Sequence, residues 1–156
     1  MSEQGYPLTP SLAYRDPEAA MQWLQDAFGC EIDTLLTDSD GKIAHLVMSF
    51  RGQPFGVMRE WESEALIGPA KMRSPASLDN HGSSFMRATV DDLATHYERA
   101  RAAGARITQE PTLQFYGDRT YRCLDLEGHV WNFQQKEVDV SLEEIEQSMG
   151  LKTVKA

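Results

Sequence analysis

The chain has 156 residues, with 24 acidic and 15 basic side chains and a net charge of −9. That length supports one substantial core and not two of ordinary size. The charge opposes nucleic-acid binding, which relies on Lys and Arg to neutralise phosphates. It favours solubility and, weakly, cationic ligands. No apolar run approaches the roughly 18 residues of a membrane span, so no membrane partner is expected. The start, Met1-Ser-Glu-Gln-Gly-Tyr-Pro7, has neither the basic nor the apolar region of a secretion signal, which makes a cytoplasmic location the expectation. Cys30 and Cys123 lack metal-ligand spacing and read as reduced thiols packed as small hydrophobes.

Residues 9–15 alternate Leu12 and Tyr14 with smaller or polar side chains and predict a strand. Asp16-Pro17 then supplies a helix N-cap and a first helical residue. Ala20, Trp23, Leu24, Ala27 and Phe28 recur at helical spacing, and Gly29 ends the run. Strands are predicted over 30–37, 43–50 and 53–59, separated by turns at 38–41 and at Arg51-Gly52. The stretch 60–82 carries Gly68, Pro69 and Pro75 and reads as a linker, in which Trp61 and Met72 either fold over a site as a lid or pack beneath a loop. A strand over 84–90 follows. Asp91 or Asp92 then caps a helix with Leu93, Tyr97, Ala100 and Ala103 on its buried face and Gly104 as its stop. Strands over 105–109, 119–126 and 129–135 complete the second half. Ser141-Leu-Glu-Glu144 fits a capping box, so a short helix over about 141–150 closes the chain.

The second half repeats the first. Gly41 and Gly52 recur as Gly117 and Gly128 at the same separation of 76 residues, and Phe55 and Val57 recur as Trp131 and Phe133. Two matched glycines after matched helices point to an internal duplication. The fold class is therefore α+β: two tandem βαβββ modules forming a curved mixed sheet around a cleft. One domain spans 1–156, with module one at about 6–59, a linker at 60–82 and module two at about 83–136.

Strict alternation sorts the strand faces. Leu12, Tyr14, Phe55, Val57, Met86, Ala88, Trp131 and Phe133 pack against helices. Thr9, Ser11, Ala13, Gly56, Met58, Phe85, Arg87, Thr89, Val130, Asn132 and Gln134 take the other face, which is small and mixed in polarity, as a ligand cleft is.

Leu12-Ala-Tyr-Arg-Asp-Pro17 leading to Trp23 and Phe28-Gly29, then Tyr116-Gly-Asp-Arg119 and Asp125-Leu-Glu-Gly-His-Val-Trp-Asn-Phe133, resemble the vicinal oxygen chelate superfamily. That group holds glyoxalases, extradiol dioxygenases and bleomycin-resistance proteins, and the last run is similar to PhnB-like glyoxalase-type members. The likeness covers roughly residues 6 to 136. It implies a homodimer and, in the metalloenzymes, ligands on the first, fourth, fifth and eighth strands. The equivalent points here are Thr9, Gly56, Phe85 and Asn132, and divalent-metal sites of this kind need imidazole and carboxylate donors. No metal and no cofactor is therefore expected.

The remaining candidates are recognition residues. His45 matches Tyr121 at the separation of 76, so both are expected near the cleft, with His45 as the one general-base candidate. Phe85, Met58 and Tyr116 offer an apolar wall for a flat ligand. Arg119 either binds an anion or pairs with Asp118 to shape its loop. Asn132 and Gln134 hydrogen-bond well but are poor acids and bases. The reading is a metal-free protein of the glyoxalase/bleomycin-resistance type that sequesters a small aromatic or cationic organic molecule. The alternative is a glyoxalase-like isomerase, lyase or dioxygenase, either metal-independent or with a metal site placed elsewhere.

Overall fold

A computed structural model describes residues 5–61 and 70–154. Module one runs β1 (Ser11–Tyr14), α1 (Pro17–Phe28), β2 (Glu31–Thr37), β3 (Ile43–Phe50) and β4 (Gln53–Arg59). Module two runs β5 (Phe85–Thr89), α2 (Leu93–Ala102), β6 (Arg106–Leu113), β7 (Asp118–Leu124) and β8 (Val130–Lys136), and α3 (Leu142–Met149) follows. The two four-stranded sheets are ordered β1-β4-β3-β2 and β5-β8-β7-β6. In each, the first strand lies parallel to the last and the other pairs are antiparallel. The duplicated α+β architecture is thus present strand for strand. No helix among the described residues is long and apolar enough to cross a membrane.

Local chemistry explains the elements. The Asp16 carboxylate accepts from the Ala19 N–H at 3.0 Å, and Asp92 rather than Asp91 accepts from Thr95 at 3.1 Å. Arg51 and Gly52 both have positive φ, 50° and 82°, as a two-residue hairpin turn requires. Strand β6 continues to Leu113, past the expected end at 109. It is an edge strand, so the missing N–H of Pro111 breaks no ladder, and the register shifts between Gln109 and Thr112. Trp61 and Met72 pair with each other through their backbones, at 2.9 and 3.2 Å, ahead of a 3₁₀ turn at Pro75–Ser77.

The modules are joined through their helix sides. Phe28, at the end of α1, packs with ring centroids 5.0 Å from Trp131 and 4.8 Å from Phe133, both on β8 of the other module. The helices also complete each other's C-termini, where carbonyls lack intrahelical partners. The Trp23 indole N–H donates to Ala103 O at 2.8 Å. Arg99 of α2 donates to Asp26 O and Gln25 O, both at 2.7 Å.

The hairpin loops are exchanged in the same way. In the β7–β8 loop, the buried Asp125 carboxylate accepts from the Tyr14 hydroxyl at 2.6 Å, from the Trp131 indole at 3.2 Å, and from the N–H groups of Glu127 and His129 at 3.0 Å. Burial and the Asp125 charge both hold the Tyr14 phenol well above its ordinary range. Glu127 accepts from the N–H groups of Arg15 and Asp16, and His129 reaches Ala13 O at 2.7 Å. Module one returns a smaller version: Arg51 of the β3–β4 turn donates to Thr89 O at 2.8 Å and to the Asp91 carboxylate at 2.7 Å.

His96 of α2 faces inward between Phe28, Phe50, Phe133 and Tyr121. Its Nε2 lies 3.1 Å from Phe28 O, which can only accept, so Nε2 carries the proton and Nδ1 accepts from the Tyr121 hydroxyl at 2.7 Å. Burial lowers its pKa below the usual 6.5, helped by the nearby Arg99 charge and partly opposed by the bond to Phe28.

Two outcomes are expected. Asp125→Ala leaves the Tyr14 hydroxyl and Trp131 indole buried without acceptors and lowers stability by about 3 kcal/mol or more in urea unfolding, against about 1–2 kcal/mol for Tyr14→Phe. For His96, the unfolded state binds the proton more readily than the folded one, so stability is lost as pH falls below 6.5. Urea midpoints across pH 7.5 to 5.5 should decline in the parent (in about that window) and flatten in His96→Gln.

Candidate functional site

Strand register fixes which side chains share each outward face. In module one, Ser11 pairs with Gly56, Gly56 with Val47, and Val47 with Thr34. The register thus sets Ser11, two residues beyond Thr9, beside Gly56, and Thr9 precedes the strand. A Cβ at Gly56 would stand 2.4 Å from Ser11 Oγ, so packing against this hydroxyl accounts for the glycine. This face bounds a cavity of about 490 Å³ lined by Ser11, His45, Gly56, Met58, Glu60 and Trp61. His45 and Met58 therefore meet in one hollow, with Trp61 at its side, 38% exposed.

Module two presents its own face. One row of paired residues reads Arg87, Asn132, Arg122 and Gln109 across β5, β8, β7 and β6. The row below reads Phe85, Val130, Leu124 and Arg106, and the row above reads Thr89, Gln134, Thr120 and Thr112. Phe85 is 53% exposed, with the Arg87 guanidinium carbon 5.7 Å from its ring centre. Asn132 is buried and accepts from Arg122 Nη2 at 3.5 Å, while Gln134 reaches Thr89 Oγ1 at 3.4 Å. Phe85, Arg122 and Val130 border a cavity of about 520 Å³ with Gly82, Ser83 and Ser84. The two curved faces line separate cavities in the chain, because the halves meet through their helix sides.

Three candidates fall elsewhere. Tyr121 is fully buried on the helix side, bonded to His96 and stacked on Phe133 at 5.1 Å. Arg119, two residues away on the same side, forms a two-bond ion pair with Glu137 at 2.5 and 2.9 Å, not with Asp118. Tyr116 sits in the β6–β7 turn against Phe115. For Tyr121 and Arg119 the cause is a register difference between the halves. Gly56 and Asn132 are 76 residues apart, but their partners Val47 and Arg122 are 75 apart, because the β7–β8 loop is longer than the Arg51-Gly52 turn. A step of one residue turns a strand's side chains over. The counterpart of His45 is accordingly Thr120, and the sequence reading passed over Arg122, whose alternation with Leu124 and Thr120 was the available signal.

The donor chemistry does not fit the metal site of the relatives. Its four points carry a hydroxyl, no side chain, a phenyl ring and an amide, and the strand-paired Ser11 and Arg87 in place of Thr9 and Phe85 add only a hydroxyl and a guanidinium. Among the described residues no three His, Cys, Asp or Glu side chains converge. The two thiols are buried, which pushes both up to about 12, so neither is a thiolate nucleophile.

Residues 8–133 match the family described as Glyoxalase/Bleomycin resistance protein/Dioxygenase superfamily. The chain belongs to this superfamily. Among solved structures, TioX from Micromonospora sp. ML1 superimposes with a TM-score of 0.64 at 29% identity, covering 84% of this chain and 98% of TioX. An uncharacterized protein of Mycobacterium bovis is 29% identical over 143 residues, 92% of this chain and 91% of its own length. The fosfomycin resistance protein FosX from Listeria monocytogenes shares the fold at 17% identity and a TM-score of 0.58, covering 88% of this chain and 94% of its own. In this glyoxalase-superfamily chain, Trp61 is the most exposed of the three tryptophans, while Trp23 is half-buried and Trp131 is buried. Acrylamide should therefore quench Trp61 ahead of Trp23 and Trp131, and Trp61→Phe should remove the most readily quenched part of the emission.

Proposed function

We propose that this glyoxalase-superfamily protein binds a small, largely aromatic organic molecule on its outward sheet faces and works without a metal. One observation carries this reading: the points where the resemblance puts metal ligands carry Thr9 or Ser11, Gly56, Phe85 or Arg87, and Asn132, while the same faces offer Phe85, Met58 and Trp61 as apolar contacts and Asn132, Gln134 and His45 as hydrogen-bonding groups. Affinity then comes from buried apolar area and orientation from the amides. The two open faces support a homodimer in which module one of one copy stands opposite module two of the other. The two buried, unbridged cysteines fit a cytoplasmic location.

The test is metal analysis of protein purified without chelator, then titration with zinc, nickel, manganese and iron(II), and a thermal-shift screen of aromatic compounds. No stoichiometric metal uptake is expected. A ligand at a hundred times its Kd should raise the melting temperature by about 5–10 °C. Tight uptake of one metal per site would replace this reading with a metalloenzyme, and light scattering that finds only the 17.6 kDa species would remove the dimer. A second reading, metal-free catalysis with His45 as general base, is favoured by the place of His45 in the 490 Å³ cavity. His45→Ala separates the two: turnover lost with ligand affinity kept supports catalysis.

A further inference from the structure

The chain carries a net charge of −9, yet its charges are not spread evenly over the two sheet faces. The three rows of module two given above contain Arg87, Arg122 and Arg106, six amide or hydroxyl residues beside them, and no Asp or Glu. The matching rows of module one, through Ser11, Gly56, Val47 and Thr34 and through Pro54, Ser49 and Glu31, contain no Lys or Arg. Cationic side chains are therefore gathered on one face of an acidic protein.

Most other arginines in the structure are engaged by a carboxylate or a carbonyl. Arg15, Arg51, Arg59, Arg101 and Arg119 each pair with a carboxylate, and Arg99 caps α1. Among the described residues, Arg87 has only the Phe85 ring, and Arg122 has only the 3.5 Å contact to Asn132. Both side chains are exposed. They sit on the two strands flanking β8, level with Asn132, so their Cα atoms are two strand spacings apart, about 10 Å. Two guanidiniums at that separation, on one face and without a counter-charge, repel each other and present donor forks that suit an oxyanion bidentately.

We infer that the outward face of module two is an oxyanion subsite, in which Arg87 and Arg122 hold the carboxylate or phosphate of an aromatic ligand whose ring lies against Phe85. This rests on the reading that these faces take a small molecule, and it names the class: an aryl acid, not the cation that the net charge alone would favour. Asn132 holds Arg122 in line from below, and the 520 Å³ hollow beside Phe85, Arg122 and Val130 has room for a bicyclic ring. The guanidinium over Phe85 is displaced toward the anion as the ligand ring takes its place on the phenyl face.

Isothermal titration of the full-length protein tests this with four probes of one shape: 2-naphthoate, 2-naphthyl phosphate, neutral 2-naphthalenemethanol and cationic 2-naphthylmethylammonium. At least one anion should bind about tenfold more tightly than the neutral and cationic probes, and its advantage should shrink as salt rises from about 50 to about 300 mM. The better of the two anions tells carboxylate from phosphate. Arg87→Gln and Arg122→Gln should each weaken that anion about tenfold while leaving 2-naphthalenemethanol unchanged. Arg101→Gln, which breaks only a surface pair with Glu98, should change neither. The arginine variants should melt with the parent, since neither side chain holds an ion pair among the described residues. Equal binding of the cation, parent-strength anion binding by Arg122→Gln, or no binding of either anion overturns the subsite. If the neutral probe binds and loses affinity in Phe85→Ala while the anions gain nothing, the subsite falls and the wider binding reading stands. Metal uptake overturns that wider reading independently.

Discussion

The Asp125 carboxylate is the interaction on which the rest of this structure depends. It lies in a loop of module two, yet one of its four donors is the hydroxyl of Tyr14, at the heart of module one. The same loop sends Glu127 to the N–H groups that begin α1 and His129 to the backbone of β1. A buried carboxylate is stable only when its lone pairs are met, so once this loop closes, the position of β1 and α1 relative to β8 is set. Phe28, Trp131 and Phe133 can then stack across the seam. Arg51, Trp23 and Arg99 repeat the exchange at three other points. The halves are held helix side to helix side, and that leaves both sheet faces turned outward.

Much of the fold was legible from local chemistry. Asp16-Pro17, the apolar stripe from Ala20 to Phe28 and the capping box at Ser141 each act within one turn of helix, and the chain folds there as its spacing dictates. Strands β3 and β4 follow strict alternation around a two-residue turn whose φ values suit Arg51-Gly52. What escaped was tertiary. Nothing in the composition of β6 says that it is an edge strand, and that alone lets it run through Pro111. Nor does helical spacing mark His96 as a core residue, because its neighbours Phe28, Phe50 and Tyr121 come from three distant segments.

The candidate site was legible in part, and the misplacement of Tyr121 and Arg119 has one physical origin. The positions of Gly56, Phe85 and Asn132 followed from the duplication, and alternation gave their face correctly. Counting by a constant separation failed across the β7–β8 loop, where extra residues shift β7 by one against β8. That slip exchanged Arg122 for Tyr121 and sent Arg119 to the wrong side. Net charge is a total over the whole surface and says little about the twelve side chains of these three rows.

The run Asp125-Leu-Glu-Gly-His129 is also what makes this chain recognisable. Its polar groups are turned toward the other half of the molecule: the two carboxylates receive backbone and phenol protons, and the imidazole meets a carbonyl. None of them faces either sheet surface. A signature of this sort is inherited with the architecture and is indifferent to the reaction, so kinship traced through it groups proteins by how they are assembled. The open faces, which bear no part of that assembly, are free to diverge from one descendant to the next.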